Sequence, residues 1–126
     1  MDLTLEPAAL TICQLPADAD LPEWLTPGRG FLSITRTGEE LSIVCAAELV
    51  PAAVRQQPGW QAFKIAGPLD FALTGILASV LGPLARAGVS IFTVSTFDTD
   101  YVLVPASRLP EAIRALTAAG HTIARS

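Results

Sequence analysis

The sequence predicts an α+β protein built from two ferredoxin-like βαββαβ halves, whose antiparallel sheets carry helices on one face and whose first half is trimmed. Two observations support this prediction. Between residues 61 and 125 the hydrophobic periodicity changes in the order β-α-β-β-α-β. A pattern like that of residues 91–104 also occurs 60 residues earlier. Because 51% of the 126 residues are hydrophobic, the chain has enough apolar surface to bury a core.

The second half contains all six elements of the pattern. Pro83 lies inside the first helix, where it has no backbone N–H to donate to the Ser79 carbonyl, and we expect a kink there. Ser107 is the expected N-cap of the second helix, with Pro110 in its first turn. The predicted elements are a strand at 61–67, a helix at 75–87, strands at 89–95 and 101–104, a helix at 107–119 and a short strand at 121–125.

The first half repeats the second imperfectly. Without a gap, FLSITRTGEELSIV (31–44) aligns with IFTVSTFDTDYVLV (91–104), and the match extends to helix starts near Ala52 and Ala112. Upstream, residues 10–15 supply a first strand, but only residues 21–25 can form a turn of helix before Gly30. We therefore expect a first domain at residues 1–60 and a second at 61–126, with 61–67 either closing the first or opening the second.

Composition excludes several classes of function. The net charge is −4 and Lys64 is the only lysine, so the basic surface that a nucleic-acid-binding protein needs is missing. Asp2 and Glu6 occupy positions where a secretory signal carries basic residues, and no apolar stretch reaches the roughly 20 residues of a membrane span. We expect a cytoplasmic protein in which Cys13 and Cys45 are small buried side chains.

The segment GPLDFALTGILASVLGPLARAGVSIFTVSTFDTDYVLV, residues 67–104, resembles the ACT domain. The specific motifs are TGI at the start of the helix, then GVSIF, then STFDTDYVLV; together they span about 38 residues. The segment is most similar to the tandem ACT modules of cytosolic arginine sensors and of aspartate kinases. The resemblance implies a regulatory module that binds a free amino acid between ACT units, and a homodimer.

The resemblance also implies a binding site. An amino acid is a zwitterion, so its site needs donors for a carboxylate and acceptors for an ammonium. The start of the helix supplies free N–H groups and the positive end of the helix dipole, and aspartates in the turn can accept from the ammonium. The implied ligand-binding residues are Asp70, Leu73, Thr74, Gly75, Thr96, Phe97, Asp98 and Asp100.

One departure from the arginine sensors bears on the ligand. They carry an acidic residue two positions before the glycine of the "GI" pair, where this chain has Leu73. A guanidinium would lose that partner, so a smaller or apolar amino acid fits this chain better than arginine.

Each site residue also has a plainer interpretation. Residues 98–100 suit a solvated hairpin turn, Asp70 and Thr74 suit helix caps, and Phe97 is either an aromatic over a ligand or a core side chain. His121, the only histidine, is expected to be structural. The alternative function is a structural or protein-interaction ACT dimer that binds no ligand.

Catalysis finds no support in the sequence. It contains no Cys-His or Ser-His arrangement, no phosphate-binding loop and no zinc-ligand spacing. We therefore expect no enzyme activity, no cofactor and no metal site.

Overall fold

The computed structural model describes residues 1–25, 30–65 and 75–126. These residues form a mixed α+β structure, which confirms the predicted fold class. The strands are β1 Asp2–Leu5, β2 Leu10–Leu15, β3 Leu32–Arg36, β4 Leu41–Ala46, β5 Gln56–Ile65, β6 Phe92–Ser95, β7 Asp100–Pro105 and β8 Thr122–Arg125. The helices are α1 Ile76–Arg86 and α2 Leu109–Ala118, and 3₁₀ turns occur at Glu23–Leu25, Ala47–Leu49 and Ala106–Arg108.

The chain divides into two compact units. Ala8–Gly59 form one, called here the N-unit; Met1–Pro7 and Trp60–Ser126 form the other, the C-unit. The boundary falls inside β5, whose first residues belong to the N-unit and whose remainder opens the C-unit. The expected division at residue 60 therefore differs from the structure in one respect: the first seven residues join the C-unit rather than the first half.

The C-unit has the predicted βαββαβ order with one strand added. β5, α1, β6, β7, α2 and β8 follow one another along the chain, and the sheet order is β6-β7-β5-β1-β8. β1 lies antiparallel to β5 and parallel to β8, so Leu3 is opposite both Ile65 and Ile123. The periodicity of four residues is too short to predict this placement. The helices cover one face, and the buried core there is Leu3, Leu5, Phe63, Ile65, Val80, Leu84, Val89, Val102, Val104, Ala112 and Leu116.

Helix α1 continues through Pro83 to Arg86, although a proline has no amide hydrogen to donate to the Ser79 carbonyl. The imidazole Nε2 of His121 lies 2.9 Å from that carbonyl oxygen. A carbonyl only accepts hydrogen bonds, so Nε2 carries the proton and donates it. His121 therefore replaces the hydrogen bond that Pro83 removes, and the helix keeps its last turn.

The start of α2 differs from the expectation. Ser107 is not its N-cap, because Ser107 lies within the 3₁₀ turn Ala106–Arg108 that leads directly into the helix. The N-cap is Arg108, which makes no side-chain capping bond. Pro110 does lie in the first turn, as predicted.

The N-unit is trimmed, as the sequence predicts. β3, β4 and β2 form an antiparallel sheet in that order. The 3₁₀ turn Glu23–Leu25 is the only helical turn described between β2 and β3. The prediction of a helix near Ala52 was wrong, since the chain forms only the 3₁₀ turn Ala47–Leu49 between β4 and β5. The core consists of Cys13, Leu25, Leu41, Ile43 and Cys45, with Leu15, Ala19, Trp24, Val50 and Val54 packed against it.

The hairpin β3–β4 has the same strand register and turn as the hairpin β6–β7, but equivalent residues are 59 positions apart rather than 60. The Thr37 amide donates to the Glu40 carbonyl at 2.9 Å, and the Thr96 amide donates to the Thr99 carbonyl at 2.8 Å. Strands β2 and β5 correspond at a spacing of 50, since Leu10 pairs with Ala46 and Trp60 pairs with Pro105. The difference of nine residues falls between the first strand and the hairpin, where the C-unit has α1.

Candidate functional site

Three strand ends of the C-unit meet at one edge of its sheet. Asp100 begins β7 and is paired with Ser95, the last residue of β6. Lys64 is paired with Tyr101, so Ile65, the last residue of β5, falls next to Asp100 in the antiparallel register. This edge, called here the Asp100 edge, carries the hairpin turn of residues 96–99.

Helix α1 starts on the side of the Asp100 edge. At its other end, the Arg108 guanidinium donates to the carbonyls of Ala87 at 3.3 Å and Gly88 at 3.4 Å. Arg108 follows the far end of β7, so the C-terminus of α1 lies far from the Asp100 edge. The helix rises ~16 Å over its 11 residues. Its N-terminus is therefore directed back toward the hairpin turn.

Gly75 is the N-cap of α1, and its φ of +90° is a conformation that favours glycine. It makes no side-chain capping bond, and among the described residues no atom lies within 4 Å of the position that a Cβ would occupy. The positive φ requires glycine whether or not a ligand binds, so a Gly75 substitution tests backbone strain as well as binding.

The hairpin turn is closed by two threonines. The Thr96 amide donates to the Thr99 carbonyl at 2.8 Å, and the Thr99 amide donates to the Thr96 hydroxyl at 3.2 Å. The two hydroxyl oxygens are 2.8 Å apart. The amide and hydroxyl of Thr96 are therefore both engaged in hydrogen bonds within the turn. Thr37 makes the equivalent bonds in the N-unit.

The two aspartates of the turn are in different situations. The Ser95 hydroxyl donates to Oδ1 of Asp100 across the hairpin, so Asp100 holds the strands together. Asp98 is exposed, and its carboxylate makes no hydrogen bond or ion pair with the described part of the chain. Phe97 is 84% exposed, which excludes the core interpretation of its side chain. Asp98 is thus the carboxylate that the turn leaves open for a ligand.

The remaining predicted site residues are Asp70, Leu73 and Thr74. They lie outside the described residues. Of the described site residues, Thr96, Phe97 and Asp98 lie in the hairpin turn and Asp100 follows it at the start of β7. Gly75 is at the start of a helix that is directed to the same edge.

His121 is a contributor that the sequence analysis did not connect with the site. It precedes Thr122, which pairs with Asp2 at the Asp100 edge. Its ring is buried, and its bond to Ser79 fixes the first turn of α1. The Nδ1 atom is buried and has no hydrogen-bond partner among the described residues. The sequence signal was the pairing of Pro83 with Ser79, whose carbonyl needs another donor.

The cysteines are buried, as predicted, and both are free thiols. Burial, and next the neighbouring Cys45 thiol, raise the pKa of Cys13 to about 11. Burial also raises the pKa of Cys45, against a lowering by its hydrogen bond with Cys13. Both groups are therefore uncharged core side chains near neutral pH.

Within the described ranges, no three His, Cys, Asp or Glu side chains are placed to hold a metal ion. The helices found there are also too short or too polar to cross a bilayer.

Two family models match the sequence. The model of the ACT domain matches residues 55–118, slightly more than half of the chain. A second model, of an N-terminal domain, matches residues 9–53. The two matches meet near the start of β5, close to the boundary between the units.

The chain is also similar to individual proteins. The human cytosolic arginine sensor for mTORC1 subunit 1 is 41% identical over 58 residues, which are 45% of this chain and 18% of the sensor. The chain thus matches less than a fifth of that relative's length.

Solved structures share the fold. A crystal structure of a protein from Agobacterium tumefaciens is 43% identical, with a TM-score of 0.92 over 99% of this chain and 92% of that chain. The regulatory subunit of aspartate kinase from Thermus thermophilus, in its ligand-free form, has a TM-score of 0.63 over 94% of this chain and 97% of its own. At 16% identity the latter likeness shows the fold alone.

Proposed function

The chain belongs to the ACT-domain family, and on this premise we propose that it is a regulatory module that binds a free amino acid at the Asp100 edge of its C-unit. The proposal includes a homodimer in which the second copy supplies a facing ACT surface.

The zwitterion is the feature that the site recognises. Its carboxylate accepts from the amides at the start of α1, which Gly75 leaves without a side-chain cap. Its ammonium donates to Asp98, in a charge-assisted hydrogen bond. Phe97 covers the ligand's side chain, and Asp70, Leu73 and Thr74, which precede α1 in the sequence, are the remaining ligand-binding residues that we propose. Asp100 acts indirectly, because its bond with Ser95 fixes the turn that carries Asp98.

The proposal is supported by the direction of α1, whose C-terminus is held at the far end of β7 so that its start is directed toward the turn with the exposed Asp98. The helix N-terminus carries partial positive charge and the Asp98 carboxylate is negative. A zwitterion, which has both a carboxylate and an ammonium, can bind the two groups at once. Leu73 in place of an acidic residue directs the choice to small or apolar amino acids.

The competing function is an ACT dimer that interacts with proteins and binds no ligand. The bonds within the turn favour it, since Thr96, Thr99 and the Ser95–Asp100 pair account for much of the turn's polarity without a ligand. They do not account for the exposed Phe97, and they leave the Asp98 carboxylate without a partner among the described residues.

A thermal-unfolding panel of the twenty common amino acids separates the two functions. A ligand at 100 times its Kd stabilises the folded state by ~2.7 kcal/mol, which raises the midpoint visibly. We expect at least one small or apolar amino acid to do so at millimolar concentration, and Asp98→Asn to remove the shift. Glu39→Gln is the matched control, because Glu39 is the exposed acid at the equivalent turn position of the N-unit. If no amino acid moves the midpoint, the interaction function replaces the one proposed.

A further inference from the structure

The N-unit has an apolar surface beside its outermost strand. β3 pairs only with β4 among the described strands and ends the sheet order. Leu32 and Ile34 of β3 are 41% and 39% exposed, and Leu21 is 55% exposed. These three residues, called here the β3 surface, are three of the five large hydrophobic side chains that are exposed in the described part of the chain.

Leu21 lies on the same side of the sheet as the other two. Ala19 and Trp24 pack against the cluster that contains Ile43, and Ile43 is the cross-strand partner of Ile34. The Arg36 guanidinium at the end of β3 donates to the carbonyls of Ala17 and Ala19. The segment that carries Leu21 is therefore held over the end of β3.

The C-unit serves as an internal control for this surface. By the spacing of 59 residues, Ile34 corresponds to Thr93 in β6, and both positions are exposed. The fold therefore accepts a polar residue at this edge position. An exposed isoleucine in β3 is not needed for folding, and an exposed apolar edge strand is a template for pairing with another strand.

Among the described residues, the exposed charged side chains close in sequence to the β3 surface are mostly acidic. Asp18, Asp20 and Glu23 are exposed on the segment that carries Leu21, and Glu39 is exposed in the turn that follows β3. The one base of β3, Arg36, is engaged by backbone carbonyls. A second copy of this chain would bring the same acids against each other, whereas a basic segment would be attracted to them.

We propose that β3 binds an extended segment of a partner protein in which apolar and basic residues alternate. The segment adds as a strand to the free edge of β3, so that backbone hydrogen bonds supply part of the affinity. Its apolar residues cover Leu32 and Ile34, and its Lys or Arg residues reach the acids around them. This proposal uses residues of the N-unit alone and does not depend on the amino-acid site.

The test is a fluorescence-anisotropy titration with two labelled nine-residue peptides. One alternates valine with lysine, and the other alternates valine with glutamate. We expect the lysine peptide to bind with a Kd below ~100 µM and the glutamate peptide at least tenfold more weakly. The double substitution Leu32→Thr and Ile34→Thr should raise the Kd of the lysine peptide about tenfold, and it changes no charged residue. Val94→Thr, in the edge strand of the other hairpin, is the matched control.

Hydrogen exchange on the unmodified chain gives an independent measurement if the double variant is unstable. The lysine peptide should slow exchange of amides in β3 and leave those of β6 unchanged. Equal binding of the two peptides, retained binding by a folded double variant, or no binding at all would each overturn the proposal. A sedimentation change with concentration that the double variant removes would assign the surface to a second copy instead.

Discussion

The N-unit and the C-unit contain the same hairpin and differ in what stands in front of it. Both turns are closed by a threonine whose amide and hydroxyl bond the residue three positions later. Of the described residues, only those of the C-unit form an 11-residue helix before the hairpin. The threonine bonds are therefore common to both hairpins, whereas the helix start near the turn is particular to the C-unit and is where we place the proposed site.

The largest effect should come from removing the packing of α1. Leu84 is fully buried in the C-unit core, and Leu84→Ala should lower the free energy of unfolding by about 2–5 kcal/mol. Leu25→Ala, in the 3₁₀ turn of the N-unit, should lower it less, because a single turn can move to fill the cavity. Urea denaturation followed by circular dichroism measures both. An equal loss would mean that the 3₁₀ turn supports its sheet as strongly as the helix does.

The buried thiols should make the N-unit sensitive to alkaline pH. The pKa of Cys13 is raised from 9.0 to about 11 in the folded state. The unfolded state therefore loses its proton first, and stability present below pH 9 is lost between pH 9 and pH 11, by roughly 2 kcal/mol. Urea denaturation across that range should show a smaller decline for Cys13→Ala. An unchanged decline in this variant would assign the effect to other groups.

The hydrogen bond from His121 to the Ser79 carbonyl, which takes the place of the one that Pro83 cannot donate, should be detectable in a double-mutant cycle. His121→Phe leaves the Ser79 carbonyl without a donor and should lower the free energy of unfolding by about 1–2 kcal/mol. In a Pro83→Ala background the amide of residue 83 can donate to Ser79, so the same substitution should have a smaller effect. Additive losses in the cycle would show that His121 acts by packing and not through this bond.

The smallest effect should come from the Ser95–Asp100 bond. Ser95→Ala removes an exposed hydrogen bond and should lower the free energy of unfolding by about 0.5–1 kcal/mol. Without this hydrogen bond the turn that carries Asp98 is held less firmly, so amino-acid binding should weaken although Ser95 does not contact the ligand in the proposed site. Thr35→Ala, on the β3 strand before the other turn, should leave binding unchanged. Loss of stability without any change in binding would separate the turn from the site.

The sequence predicted the fold class, the trimmed first half and the hairpins, because hydrophobic periodicity and the repeat report directly on packing. It misplaced the repeat by one residue, since an ungapped alignment matches apolar residues and does not read strand register. It did not predict the position of β1, because a four-residue strand finds its partner through tertiary contacts. For the site, the sequence identified the turn but did not separate Asp98 from Asp100, which depends on the cross-strand bond of Ser95.

Isothermal titration calorimetry, with the amino acid that gives the largest thermal shift, tests whether the C-unit holds the site. We expect one ligand per chain, a Kd raised about tenfold or more by Asp98→Asn, and an unchanged Kd in Glu39→Gln. Two ligands per chain, or equal weakening by the two substitutions, would contradict the claim that the C-unit holds the site and the N-unit does not.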